Sequence, residues 1–152
     1  MGREILFRGK RKYSGKWVEG SYCPKKTGHY EGDKFVEETQ RLIIVNMTGG
    51  GYQYVDVDPE TVCQYTGLTD KNGRKIFEGD ILKRVLLPTK RIENNFRIAF
   101  VPVKSCFSAI DLDGSNVTFI SDYINSSYEI EVIGNIFDNP ELLEVHNEKE
   151  NR

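Results

Sequence analysis

The hydrophobic and polar positions of this chain fall into short β-like segments separated by turn residues, and sustained helical periodicity is scarce. Residues 4–10 and 16–23 read as a hairpin. The strand-like run from Lys16 to Tyr22 follows the turn formers Ser14-Gly15 and carries bulky residues suited to a pleated surface. Leu42 to Val45 is a continuous apolar run, followed by Gly49-Gly50-Gly51 and then Tyr52, Tyr54 and Val55. A strand, a glycine turn and a second strand account for it. From Lys34 to Leu42 the pattern fits either a strand or a short helix, since Phe35, Thr39 and Leu42 would share one helical face.

A second block begins near Thr66. Asn72-Gly73 predicts a type I′ hairpin turn, in which both residues take positive φ. Gly79-Asp80 makes another turn. If Gly79 has positive φ, a valine there would destabilise the fold. Ile81 to Leu87 reads as a buried strand ended by Pro88, and further strands are expected at 96–101, 106–112, 117–121 and 128–137, with Asp113-Gly114 connecting two of them. Ile130, Val132, Gly134 and Ile136 alternate with Glu131, Ile133, Asn135 and Phe137, so the last strand carries apolar groups on both faces and is expected to lie centrally. Asp58-Pro59-Glu60 and Asn139-Pro140-Glu141 share one grammar, a capping residue before a proline with an acid in the first turn, so each predicts a short helical turn. The expected fold is mainly β, with a β-rich amino-terminal part (1–66), a small barrel (67–139) of five short strands and a short helical turn leading into an acidic polar tail (140–152).

Composition supports a folded, aqueous chain. Of 152 residues, 38% are hydrophobic, 29% charged and 11% aromatic, which separates the chain from disordered sequences. No stretch approaches the roughly eighteen apolar residues of a membrane-spanning helix, and Ile5-Leu6-Phe7 is too short for a secretory core, so an intracellular protein without membrane attachment is expected. Cys23, Cys63 and Cys106, odd in number and 40 and 43 residues apart, suit neither a disulfide framework nor paired metal ligands. Three reduced thiols are expected.

Few constellations carry chemistry. His29 and His146 are the only histidines, one in an expected loop and one in the tail, and they assemble neither a Cys-His pair nor a multi-histidine metal site. Asp56 with Asp58, and Asp111 with Asp113, are conceivable cation ligands, but both pairs border turns where aspartate serves the backbone. Asp111-x-Asp113-Gly114-Ser115 also breaks the order of an EF-hand loop. The three consecutive glycines lack the Lys-Ser/Thr of a phosphate-cradling loop. Cys106, among Phe107, Ala109 and Ile110, reads as a structural thiol. No enzyme activity, cofactor or metal is expected.

The formal charge of −2 conceals a segregated pattern. Between residues 3 and 26 eight basic side chains, among them Lys10, Arg11, Lys12 and Lys16, meet only Glu4 and Glu19. Between 74 and 104 another eight, including Lys83, Arg84 and Arg97, meet three acids. If the stretches converge near Tyr13, Trp17 or Tyr22, a small barrel binding nucleic acid through its phosphates becomes an alternative. A solvated surface is the plainer reading.

The segment Val62-Cys63-Gln64-Tyr65-Thr66-Gly67-Leu68-Thr69-Asp70-Lys71-Asn72-Gly73-Arg74-Lys75-Ile76-Phe77-Glu78-Gly79-Asp80-Ile81-Leu82 closely resembles the central signature of the YopX-like phage and prophage proteins. Arg3-Glu4-Ile5, Phe7-Arg8-Gly9-Lys10 and Trp17-Val18-Glu19-Gly20 resemble the family's amino-terminal pattern, and residues 130–140 its carboxy-terminal one. Cys63 departs from the pattern, where the family often has glycine. The resemblance implies a β-rich fold containing an SH3-type barrel or roll, with oligomerisation plausible, and it supplies no catalytic residues. The function expected is that of a non-enzymatic phage or prophage accessory protein in the host cytoplasm. It would act through contacts with phage or host proteins, or as a homo-oligomer, with recognition placed in the loops 25–40 and 87–95.

Overall fold

Turn chemistry sets the strand boundaries in the computed structural model, which describes residue 2 and residues 4–144. Arg3, His146 and the acidic tail beyond residue 144 lie outside the described residues. The chain is mainly β and divides into two units, Met1–Tyr65 and Thr66–Arg152.

The first unit contains β1 (Phe7–Lys10), β2 (Trp17–Glu31), β3 (Lys34–Asn46), β4 (Tyr52–Asp56) and the start of β5 (Cys63–Thr69), hydrogen-bonded in the order β4-β3-β2-β1-β5. The hairpin expected from residues 4–23 is present, with Lys10 opposite Trp17 and Gly15 at a φ of +65° in the turn. Alternate residues turn inward, so that Val18, Ile43, Val55 and Val57 form a core on which Phe7, Tyr22, Val45 and Val62 pack. Gly20 is required by close approach: a Cβ there would lie 2.1 Å from the Ile44 carbonyl oxygen. Pro59–Thr61 makes the expected short helical turn, with Asp58 Oδ1 accepting from the Glu60 amide at 3.1 Å. Thr61 Oγ1 then donates to the Asp58 carbonyl and accepts from the Lys10 amide, each at 2.8 Å, which ties the cap to β1.

Residues 34–42 resolve as strand. They pair with β2 from Glu31↔Lys34 to Cys23↔Leu42, across a two-residue turn at Gly32 (φ +63°) and Asp33. A helix of two turns falls below the length that repays nucleation, whereas the hairpin satisfies the backbone groups of both strands.

The second unit contains the end of β5, β6 (Lys75–Phe77), β7 (Asp80–Leu86), β8 (Arg91–Val101), β9 (Cys106–Asp111), β10 (Val117–Phe119), the single helical turn α1 (Ile120–Tyr123) and β11 (Tyr128–Asn135). Its antiparallel sheet runs β10-β9-β8-β7-β11. Among the described residues no pairing joins β10 to β11, so the sheet is not closed into a ring by hydrogen bonds. Ile76, Leu82, Phe96, Ile98, Ala109, Ile120, Tyr123, Ile130 and Val132 make its core.

Four local expectations are corrected here. At the Asn72-Gly73 turn only Gly73 has positive φ, +77°. Asp70 occupies the first turn position, and its carbonyl accepts from the Gly73 amide at 3.0 Å. The turn is therefore an ordinary one closed by a left-handed glycine, not type I′. The strand expected at 117–121 ends at Phe119, because α1 buries Ile120 and Tyr123, three residues apart, on one face. Among the described residues β11 is an edge strand, paired with β7 alone. Its burial comes from cover: the Lys71 amide donates to the Ile130 carbonyl and the Val132 amide to Asp70 Oδ2, both at 3.1 Å. Pro140–Leu143 forms the expected short helical turn, but Asn139 does not cap it. Asn139 Oδ1 instead accepts from the Asn135 amide at 3.2 Å, reaching back to β11. Gly79 has the positive φ, +80°, on which the valine expectation depends.

Candidate functional site

The two longest strands outrun their neighbours. β1 pairs with β2 only over Trp17–Gly20, and β4 pairs with β3 only over Leu42–Asn46. Residues 24–31 and 34–40 therefore form a two-stranded arm with no third strand on either edge among the described residues. At about 3.3 Å per residue the eight residues of its longer strand extend roughly 26 Å. The expected loop 25–40 is thus a regular ribbon, and most of 87–95 is the start of β8 after a tight turn.

Such a ribbon buries little apolar surface, so cross-strand pairs must hold it. Tyr30 and Phe35, directly opposite at the tip, meet edge to face with ring centroids 5.2 Å apart. Phe35 lies over Gly28 so closely that a Cβ there would fall 2.2 Å from the ring. Lys26 pairs with Glu37 at 2.6 Å on that face. On the opposite face His29 reaches Glu31 at 3.2 Å and Glu38 at 3.8 Å. The aromatic tip stays in solvent, with Tyr30 72% and Phe35 53% exposed.

Near the base of the arm the first basic stretch gathers. Lys10, Arg11, Lys12 and Lys16 occupy β1 and its turn, where the Arg11 amide donates to the Lys16 carbonyl at 2.9 Å. Lys10 Nζ lies 5.5 Å and the Arg8 guanidinium 4.5 Å from the centre of the Trp17 ring. Lys12 Nζ faces Asp56 at 3.9 Å. A cleft of about 320 Å³ runs beside them, lined by Arg11, Lys12, Tyr13, Tyr54 and Asp56 among others. Tyr13 is almost fully exposed there, and Tyr54 largely so.

The second basic stretch is largely paired within its own unit. Lys83 and Lys71 share Glu131, at 3.0 and 2.8 Å. The hydrogen bond from Lys71, then that from Lys83, holds the Glu131 carboxyl below the usual range, and the same bond raises Lys71. Arg84 is clasped between rings, its guanidinium 4.4 Å from Tyr123 and 4.5 Å from Tyr128. Asp111 Oδ1 accepts from Tyr123 Oη at 2.9 Å and Asn94 Nδ2 at 2.8 Å. Burial first, and that bond to Asp111 second, push the Tyr123 phenol above its ordinary value. Lys90 meets Glu129 at 2.9 Å, and Lys104 donates to the Val117 carbonyl at 2.7 Å. Arg97 stands half-buried on β8 between Ile81 and Ile110.

The turn and cap residues Asp58, Pro59, Asn72, Gly73, Gly79, Asp80, Asn139 and Pro140 serve the backbone. Asp80 Oδ2, fully buried, accepts from the Phe77 amide at 2.8 Å. Asp113 Oδ1 accepts from the Ser115 amide at 2.8 Å. Among the described residues no group of three or more His, Cys, Asp or Glu side chains is arranged to hold a cation. Cys63 is buried and donates to the Thr61 carbonyl at 3.3 Å, while Cys106 is half-buried, 3.7 Å from Ser108 Oγ. No disulfide joins the three thiols. Among the described residues no helix is long and apolar enough to cross a membrane.

The arm is the feature that sequence reasoning missed. Its signal is Gly32-Asp33, a two-residue hairpin loop of favoured composition, flanked by the aromatic pair Tyr30 and Phe35.

Comparison with known proteins supports the resemblance carried by residues 62–82. No curated protein matches the chain. Among solved structures, it is similar to protein EF1440 from Enterococcus faecalis, at 26% identity over 93% of this chain and 99% of that one, with a TM-score of 0.47. The profile of the YopX protein family matches residues 6–144, nearly the full length, and the chain belongs to that family.

Proposed function

We propose that the chain is a non-catalytic accessory protein of phage or prophage origin, working in the cytoplasm of a bacterial host through protein contacts made by the β2–β3 arm, with homo-oligomerisation among them. The observation that carries this reading is a ribbon of roughly 26 Å whose two edges pair with no further strand among the described residues, with an exposed aromatic tip, since open strand edges are templates for another chain. In this reading the sheet of the second unit is an SH3-type roll left open between β10 and β11, serving as a scaffold. The test is site-specific photocross-linking in host cells, with the photoreactive residue at position 30, 35 or, as a control, 115. Protein adducts from positions 30 and 35 but not 115 are expected. Adducts to nucleic acid alone, or none, would refute the reading.

A second reading rests on exposed Tyr13 and Tyr54 beside Arg11 and Lys12, a combination suited to stacking bases while contacting phosphates. It predicts salt-dependent retention of single-stranded nucleic acid that Lys10→Glu with Arg11→Glu weakens. Arg84→Glu enters only as a stability control, because the ring clasp occupies that guanidinium. Absence of any binding at low ionic strength eliminates it.

A further inference from the structure

The two open edges of the arm are unlike in charge. The β2 edge carries Lys25 and Lys26 before Glu31 at the tip, whereas the β3 edge carries Glu37 and Glu38 between Lys34 and Arg41. Two copies pairing β3 to β3 about a two-fold axis would bring Glu37 and Glu38 of one copy against the same residues of the other. Pairing β2 to β2 over residues 24–31 would set Lys25 against Tyr30 and Lys26 against His29, with no carboxylate opposite either lysine. Like charges opposed across strands destabilise a sheet, and opposite charges stabilise it.

Unlike edges aligned over the length of the arm, by contrast, put Lys25 and Lys26 within diagonal reach of Glu37 and Glu38, as Lys26 and Glu37 already are within one arm. The geometry points to head-to-tail self-association, in which the β2 edge of one arm adds as an antiparallel neighbour to the β3 edge of the next copy. Strands then alternate β2-β3-β2-β3, all arms point the same way, and the lysines of one copy lie beside the glutamates of its neighbour. The Tyr30–Phe35 pairs, all on one ribbon face, line up as an apolar row. Between residues 35 and 40 the β3 edge has neither proline nor lysine, the residues with which natural edges are blunted. A heterologous contact of this kind closes into a ring or continues as a filament, and does not stop at a two-fold dimer. This inference rests on the arm being the contact surface and adds the mode by which copies of this chain associate through it.

Sedimentation and light scattering of the full chain over a dilution series test it. Wild type should form assemblies of more than two copies. K25E/K26E and E37K/E38K, each with two edges of like sign, should need an at least about tenfold higher concentration for half-assembly. The fourfold variant K25E/K26E/E37K/E38K exchanges the edges, keeps the complementarity and restores the internal pairing at 26 and 37, so it should assemble as wild type does. Circular dichroism and the thermal midpoint check folding, and if a double variant unfolds, the fourfold variant decides. A monomer, a strict dimer, or a folded fourfold variant as dispersed as the double ones would overturn the inference. A monomeric wild type that still cross-links another protein from position 30 removes self-association and leaves the arm as a contact surface. Loss of all protein adducts removes both.

Discussion

Replacing Asp70 with asparagine changes one oxygen and tests how the edge strand β11 is held. The Asp70 side chain is 7% exposed, Oδ1 accepting from the Asn72 and Arg74 amides at 2.8 and 2.9 Å and Oδ2 from the Val132 amide at 3.1 Å. Asparagine keeps a single acceptor oxygen. Aimed at the turn, it preserves two bonds and points its own donor at the Val132 N–H; flipped, it preserves the Val132 bond and opposes the turn amides. The first arrangement strands a buried donor, since Val132 is 6% exposed and water does not reach it. Losing a hydrogen bond to a charged acceptor costs about 1.5–3 kcal/mol, and a buried donor left unpaired brings the total to about 2–3 kcal/mol. Asp70→Ala should cost about 1 kcal/mol more, because the turn amides also lose their acceptor but regain water. Amide hydrogen exchange by NMR measures this residue by residue. Val132 should exchange roughly 30- to 150-fold faster in Asp70→Asn, the factor that corresponds to such a loss. Unchanged protection at Val132, with a urea midpoint equal to wild type, would show that the carboxylate does not hold β11 and would refute the reasoning.

Three further outcomes follow from the second unit. Gly79→Val puts a β-branched residue at φ +80° with its Cβ 3.3 Å from the Phe137 ring, so unfolding in urea should register a loss of about 2–3 kcal/mol, and an unchanged midpoint would contradict it. Arg84→Lys keeps the charge but gives up the planar stacking between Tyr123 and Tyr128, and should lower stability by about 1–2 kcal/mol in the same assay. The Glu131 carboxyl sits below its ordinary range when folded, so its contribution is complete above the unfolded pKa of about 4.3 and disappears as pH falls through the folded value. The gap in thermal midpoint between wild type and Glu131→Gln should therefore be largest near neutrality and close in acid; a gap that persists below that range would show that the charge is not its source.

Much of the fold was legible because turns are local events. Gly15, Gly73, Gly79 and Gly114 each sit at a sequence-expected turn with the positive φ that glycine tolerates, and Asp58-Pro59 begins its short helical turn as its grammar implies. Errors arose where a distant group decided the outcome. Alternation on both faces of 128–137 implied a central strand, yet β11 is buried at an edge because Asp70 and Lys71 cover it, a pairing across some sixty residues that periodicity does not encode. Asn139 looked like a cap, and Asn135 claims its side chain. The basic residues stand plainly in the chain, but nothing local shows that Lys83 is tied to Glu131 or that Arg84 is clasped by two rings.

The sequence by itself determined a mainly β chain of the YopX family, with its turns, strand sites and segregated charge, because glycine conformation, proline geometry and two-residue alternation act over a few neighbours. Tertiary structure alone decided which strands outran their partners. Whether residues 24–40 formed a loop, a helix or a projecting arm depended on how far β1 and β4 extend alongside β2 and β3, and that is settled by pairing between segments far apart in the chain.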